Sequence, residues 1–93
     1  MARTYFVYIM TNERNGTLYI GITNDIGRRD YEHKFEPKGF VARYKLNILV
    51  YIREFDDVSD AINHEKELKK WKRAWKIQLI EKHNPDWVNL GSS

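Results

Sequence analysis

Residues Tyr5 to Met10 alternate in polarity and are rich in aromatic and β-branched side chains, which predicts a strand. Leu18 to Ile22 repeats the pattern and predicts a second. Asn15-Gly16 lies between them, and both central positions of a type I′ turn need positive φ, so the pair signals a hairpin. With those two residues as the loop, Tyr8 opposes Thr23, Met10 opposes Gly21 and Asn12 opposes Tyr19. Directly opposed residues share a face. One face then carries Val7, Ile9, Leu18, Ile20 and Ile22, an aliphatic core surface, and the other carries Tyr8, Tyr19 and Gly21. A bulge near the turn would shift one strand and break this pairing.

Asn24 or Asp25 is placed to cap a short helix running to about His33, with Arg29 and His33 four apart on one face. Lys34 to Lys45 contains Pro37 and Gly39 and reads as a basic loop. Leu46 to Phe55 (LNILVYIREF) predicts a third strand, expected at the centre of the sheet. Ser59 is then expected to cap a long amphipathic helix whose apolar stripe is Ala61, Ile62, Leu68, Trp71 and Trp75. The pattern breaks near Lys72 to Ala74, restarts through Trp75, Ile77, Leu79 and Ile80, and ends at Asn84-Pro85. Trp87, Val88 and Leu90 are expected to fold back onto the core.

Glu65 interrupts the helical stripe, four residues after Ala61 and three before Leu68. A carboxylate on a buried face is costly unless it is paired or holds a cation, so Glu65 is a candidate metal ligand on position alone. His64 points about 100° away on a helix and is not grouped with it.

Composition narrows the setting. The 93 residues suit one domain, 1–93, with one modest core, and 42% hydrophobic residues argue against disorder. No cysteine is present, so disulfides and cysteine-based zinc sites are excluded. No apolar run approaches a membrane span and the first residues carry no signal-peptide pattern, so a cytoplasmic protein without a membrane partner is expected. The net charge of +3 is mild, but its distribution is uneven. Lys69, Lys70, Lys72, Arg73 and Lys76 crowd around Trp71 and Trp75, and Arg28, Arg29, Lys34, Lys38, Arg43 and Lys45 form a second basic region. Cations meet phosphates and flat rings stack on bases, so nucleic acid is the partner such clusters suit. The plain alternative is a solvated lysine face over core tryptophans.

Taken together, Tyr8, Tyr19, Arg29, His33 and Glu65 form an ordered set that resembles the GIY-YIG nuclease superfamily. The second family tripeptide stands intact as Tyr19-Ile20-Gly21; the first survives as Phe6-Val7-Tyr8, with only its tyrosine kept. TLYIGITNDIGRRDYEH is similar to the family core, with Arg29 and His33 at its arginine and histidine positions and Glu65 at its metal-binding glutamate. Asn89, in NPDWVNL, is a weaker match to the late asparagine. The likeness is greatest to small bacterial proteins similar to the N-terminal domain of the excinuclease of DNA repair. It implies an α/β (α+β) fold, with a three-stranded antiparallel sheet flanked by helices.

The resemblance implies a metal-dependent DNA endonuclease, a phosphodiester hydrolase of DNA repair or recombination. Glu65 would hold one Mg²⁺ or Mn²⁺ ion, since only one carboxylate falls inside an apolar face. Arg29 would grip phosphate oxygens, Tyr8 would act as general base with Tyr19 the second choice, and His33 would take or orient the phenolic proton. Gly21, beside the two tyrosines, is a further candidate site residue. Arg28, Lys34, Lys38, Arg43, Lys45, Lys69, Lys72 and Arg73 would meet the DNA backbone. Homing-type and excinuclease relatives carry additional domains that this sequence lacks, so single-stranded, branched or damaged DNA is the expected substrate, with a targeting protein supplying the address. The competing readings are an inactive nucleic-acid-binding module that keeps the fold, and a protein-interaction domain whose basic helix docks an acidic partner. Residue by residue there are plain alternatives too: strand aromatics for Tyr8 and Tyr19, surface pairing of Arg29 with Asp25 or Asp30, and a buried ion pair of Glu65 with an arginine.

Overall fold

The structure, a computed structural model, describes residues 4–91. Along them run β1 (Tyr5–Thr11), β2 (Leu18–Thr23), α1 (Ile26–Phe35), α2 (Gly39–Tyr44), β3 (Ile48–Phe55), α3 (Val58–Lys70) and α4 (Arg73–His83). The three strands form one antiparallel sheet flanked by the helices. Its order is β2-β1-β3, so β1, and not the third strand, is central. Burial gives the reason: Val7 to Thr11 are all buried, as a strand paired on both edges and covered on both faces must be, whereas β3 runs out into exposed Arg53 and Glu54.

The hairpin register differs from the simplest one by two residues. Tyr8 pairs with Gly21, Met10 with Tyr19 and Thr11 with Leu18, so the loop has six residues and not two. Side chains inside the loop replace ladder bonds. Thr17 N donates to Asn12 Oδ1 at 3.0 Å, Thr11 Oγ1 donates to the Glu13 carbonyl at 2.8 Å, and Gly16 N donates to the same carbonyl at 2.9 Å. Asn15 takes the left-handed conformation at φ 59°. Because the shift is an even number, every side chain keeps its face.

β3 carries an irregularity opposite Ile9 and Met10, which pair with Tyr51 and Leu49 and leave Val50 unmatched. Val50 and Tyr51 therefore both reach the core on the α3/α4 side, with Val7, Ile9, Ile20, Ala61, Leu68, Ile80 and Trp87. The opposite face buries Tyr8, Met10, Leu46 and Leu49 against Val41 of α2.

Asp25 caps α1 by accepting from Arg28 N at 3.0 Å. Within the segment read as a loop, six residues form α2, closed by Lys45 in the left-handed region at φ 55°. α3 is capped by Asp57, whose Oδ1 accepts from Ser59 N at 2.7 Å, so Ser59 is the capped residue and not the cap. Of the expected stripe, Ala61 and Leu68 are fully buried, while Ile62 and Trp75 lie exposed. Trp71 and Lys72 are extended and separate α3 from α4, which ends at Asn84. Of the three apolar residues expected to fold back, Trp87 turns inward, and Val88 and Leu90 stay exposed. Buried Asn84 donates Nδ2 to the Val50 and Val88 carbonyls and accepts from Val88 N, tying the tail to β3.

Candidate active site

The face of β1 and β2 turned away from α3 and α4 places two phenols beside α1. Tyr8 sits directly over Gly21, its cross-strand partner, so closely that a Cβ at position 21 would overlap the Tyr8 hydroxyl and Cζ. Glycine is required here by close approach, not by backbone angle. The ring centroids of Tyr8 and Tyr19 are 6.3 Å apart, and the His33 ring lies 5.7 Å from each. Tyr8 Oη and His33 Nε2 are 3.1 Å apart.

The charges around this cluster decide who holds the proton. Burial, then the neighbouring Tyr19, push the Tyr8 phenol well above its ordinary value; Arg29 opposes the shift and the Glu65 carboxylate adds to it. Burial and the Arg29 guanidinium push His33 below the ordinary imidazole value, and Asp30 and Glu32 oppose that shift. At neutral pH the pair is therefore a protonated phenol hydrogen-bonded to a neutral imidazole. Both Arg29 and Glu65 act electrostatically on the same phenol.

Arg29 projects from α1 into a cleft of about 300 Å³, which it lines with Tyr19, Glu32, His33, Lys38 and Val41. Its ion-pair partner is Glu32 at 3.8 Å, not Asp25, which caps the helix, or Asp30, which pairs with Lys34 at 3.4 Å. Glu32 also lies 3.9 Å from Arg28, so two guanidiniums share one carboxylate, and Glu36 and Lys38 add one charge of each sign to the cleft wall. Sequence reasoning missed Glu32 because it carries no pattern of its own; its spacing of three from Arg29 and four from Arg28 is the signal that was available.

The Glu65 side chain is only 16% exposed and its ion-pair partner is Lys69, at 3.5 Å and 55% exposed. An i,i+4 pair with one exposed member is worth about 0.3–0.5 kcal/mol, so the lysine is easily displaced. Among the described residues no group of three or more His, Asp or Glu side chains is gathered to hold a metal. A single recessed carboxylate fits a hard divalent ion that keeps most of its waters, and does not fit zinc or a closed cage.

Of the remaining sites expected from the sequence, Lys38 lines the Arg29 cleft and Lys69 pairs with Glu65, and most of the others lie apart. Asn89 accepts from Leu49 N at 3.1 Å and thus anchors the tail at the β3 irregularity. Lys34 is nearly buried on Asp30. Arg73 donates to the Asn15 and Gly16 carbonyls, holding the hairpin loop to the first turn of α4. Arg43 lies over Tyr44 and Lys72 over Trp75. Arg28, Lys38, Arg43, Lys45, Lys69 and Lys72 are exposed. A second tyrosine–histidine pair, Tyr51 Oη to His64 Nε2 at 3.0 Å, bridges β3 and α3.

The chain has counterparts among known proteins. The GIY-YIG catalytic domain matches residues 4–78. The chain belongs to the GIY-YIG family. That is a nuclease superfamily, and the short GIY-YIG relatives are spread over bacteria and archaea. The chain is 38% identical over 81 residues to a UPF0213 protein of Desulfotalea psychrophila, covering 83% of this chain and 71% of that one. It is 34% identical over 89 residues to a UPF0213 protein of Syntrophus aciditrophicus, covering 92% and 98%. Among solved structures, the solution NMR structure of a UPF0213 protein of Bacillus halodurans is similar, with a TM-score of 0.59, 27% identity and 92% of each chain covered. No helix among the described residues is long and apolar enough to cross a membrane.

Proposed function

We propose that this GIY-YIG domain is a metal-dependent endonuclease that hydrolyses DNA phosphodiester bonds, selecting its substrate by structure and not by base sequence. The observation that supports it best is the Tyr8 phenol, seated on Gly21, bonded to a neutral His33 and under the fields of both Arg29 and Glu65.

Hydrolysis needs a base for the attacking water, neutralisation of charge on phosphorus and help for the leaving oxygen. Arg29 binds the non-bridging oxygens through its planar fork, releasing Glu32. Tyr8 takes the proton of the attacking water as its own proton passes to His33 Nε2, which the 3.1 Å contact permits. The phenol then ends neutral, as its burial demands, and the positive charge rests on the imidazole. Glu65, released from Lys69, would hold the Mg²⁺ or Mn²⁺ ion, which would supply stabilisation of charge on the leaving oxygen. Tyr19 walls the cleft between Arg29 and His33 and positions the phosphate.

A panel of single-stranded, duplex, flap and four-way-junction DNA with Mn²⁺ tests the reading. The parent protein should cut at least one, while Glu65→Ala and Arg29→Ala should lose cleavage by at least about 10²-fold. Absence of cleavage of all four substrates would instead support a binding module.

A further inference from the structure

Tyr19 faces two clefts. One is the Arg29 cleft described above; the other, about 330 Å³, is lined by Leu18, Tyr19, Ile20, Phe40, Lys69 and Lys76. Its floor is flat and apolar, and its rim carries two ammonium groups. Phe40 stands at the start of α2 with its ring centroid 6.2 Å from Tyr19, inclined 30°, and 4.6 Å from Tyr44. Phe40 is 47% exposed, Tyr44 is 38% exposed, and Val41 alone ties this short helix into the core. A ladder of rings thus leads from His33 and Tyr8 through Tyr19 to Phe40 and Tyr44, leaving the site and ending in solvent with Arg43 over the last ring.

We infer that Phe40 is a stacking platform for one unpaired base of single-stranded DNA, with Lys69 and Lys76 meeting the adjoining phosphates. This deepens the endonuclease reading and rests on it for what lies at the reactive end of the strand. The complementarity is chemical: a nucleotide offers a flat apolar face joined to an anionic backbone, and the cleft offers an apolar floor below a cationic rim. A duplex cannot use the platform, because its base faces are already stacked. Selection for unpaired DNA then resides in α2, beside the hydrolytic residues.

The test is equilibrium binding in EDTA, which is independent of cleavage. An oligothymidylate of about 16 nucleotides, one long site for this kind of groove, and a fully abasic strand of the same length would be compared. The proteins are the parent, Phe40→Ala, Phe40→Leu and Phe40→Trp, each checked for folding by circular dichroism. Phe40→Ala should weaken binding to the thymidine strand about tenfold and leave the abasic strand unchanged. Phe40→Trp should bind as tightly as the parent or tighter, and Phe40→Leu should stay weak. Equal losses on both strands, full binding by Phe40→Leu, or equal displacement by a glutamate-rich peptide of matched charge would each overturn the inference. Should Phe40→Ala fail to fold, the tryptophan–leucine comparison decides. A protein that passes this test yet cuts nothing with Mn²⁺ would retain the platform and lose the nuclease.

Discussion

Gly21→Ala is the smallest change that should dismantle the candidate site. The new methyl would overlap the Tyr8 hydroxyl and Cζ, and neither side can yield easily. β2 is fixed by its ladder to β1, and the Tyr8 ring is 2% exposed in a cluster with Met10, Val41, Leu46 and Leu49. Forced overpacking of this kind costs about 1–3 kcal/mol. Displacing the ring also breaks the 3.1 Å bond to His33, adding roughly 0.5–1.5 kcal/mol. The expected destabilisation is therefore about 1.5–4.5 kcal/mol, read from urea unfolding followed by circular dichroism. The attribution is testable by a double-mutant cycle, because Tyr8→Ala empties the space that the methyl needs. In that background Gly21→Ala should cost less than about 0.5 kcal/mol, a coupling of roughly 1 kcal/mol or more. Tyr8→Phe keeps the ring carbons and should leave the clash in place. If Gly21→Ala is as stable as the parent, or costs the same with and without the Tyr8 side chain, the close seating of phenol on glycine is wrong and the proton-transfer geometry falls with it.

Other perturbations separate scaffold from chemistry. Asn84→Ala removes one buried hydrogen bond to β3 and two half-buried ones to Val88, and should lower the unfolding free energy by roughly 2–4 kcal/mol, while any DNA binding by the intact fraction is unchanged. Arg29→Lys keeps the charge but loses the fork, and single-turnover cleavage should fall roughly 10²-fold with little change in stability. Burial holds both His33 and His64 below the ordinary 6.5. The unfolded chain thus takes up protons at higher pH than the folded one, and stability should be constant above about pH 7 and decline as pH falls below 6.5 toward the folded values. Urea midpoints at about pH 7.5 and about pH 5.5, on either side of that value, check this, and a His33→Gln/His64→Gln double variant should show a shallower decline.

Faces were legible in this sequence where positions were not. The period-2 pattern of Tyr5 to Met10 and Leu18 to Ile22 put Val7, Ile9 and Ile20 on one side and Tyr8, Tyr19 and Gly21 on the other, and an even register shift left that intact. The register itself was hidden because Asn12 closes the loop with its own carboxamide, a contact that no local propensity encodes. Strand order was hidden for a similar reason: LNILVYIREF is the longer apolar run, but its irregularity at Val50 makes it an edge that buries consecutive residues on one side. α2 escaped because six residues are too few for a helical period, and Pro37 and Gly39 read as a turn. Glu65 stood out as an acid inside an apolar stripe, although Ile62 and Trp75 of that stripe face solvent. Asn89 and Lys34 show the limit of residue type as a guide, since one secures a backbone amide and the other is held by Asp30.

The claim on which the chemistry depends is that Glu65 holds a divalent ion within reach of Tyr8. Titrating Mn²⁺ into isotopically labelled protein and mapping the amide signals it broadens tests this directly. The account predicts broadening centred on Glu65 and reaching Tyr8, Tyr19 and Gly21, abolished by Glu65→Gln. Broadening centred instead on exposed acids at the start of α3, such as Asp57 and Asp60, and unchanged by Glu65→Gln, would contradict it.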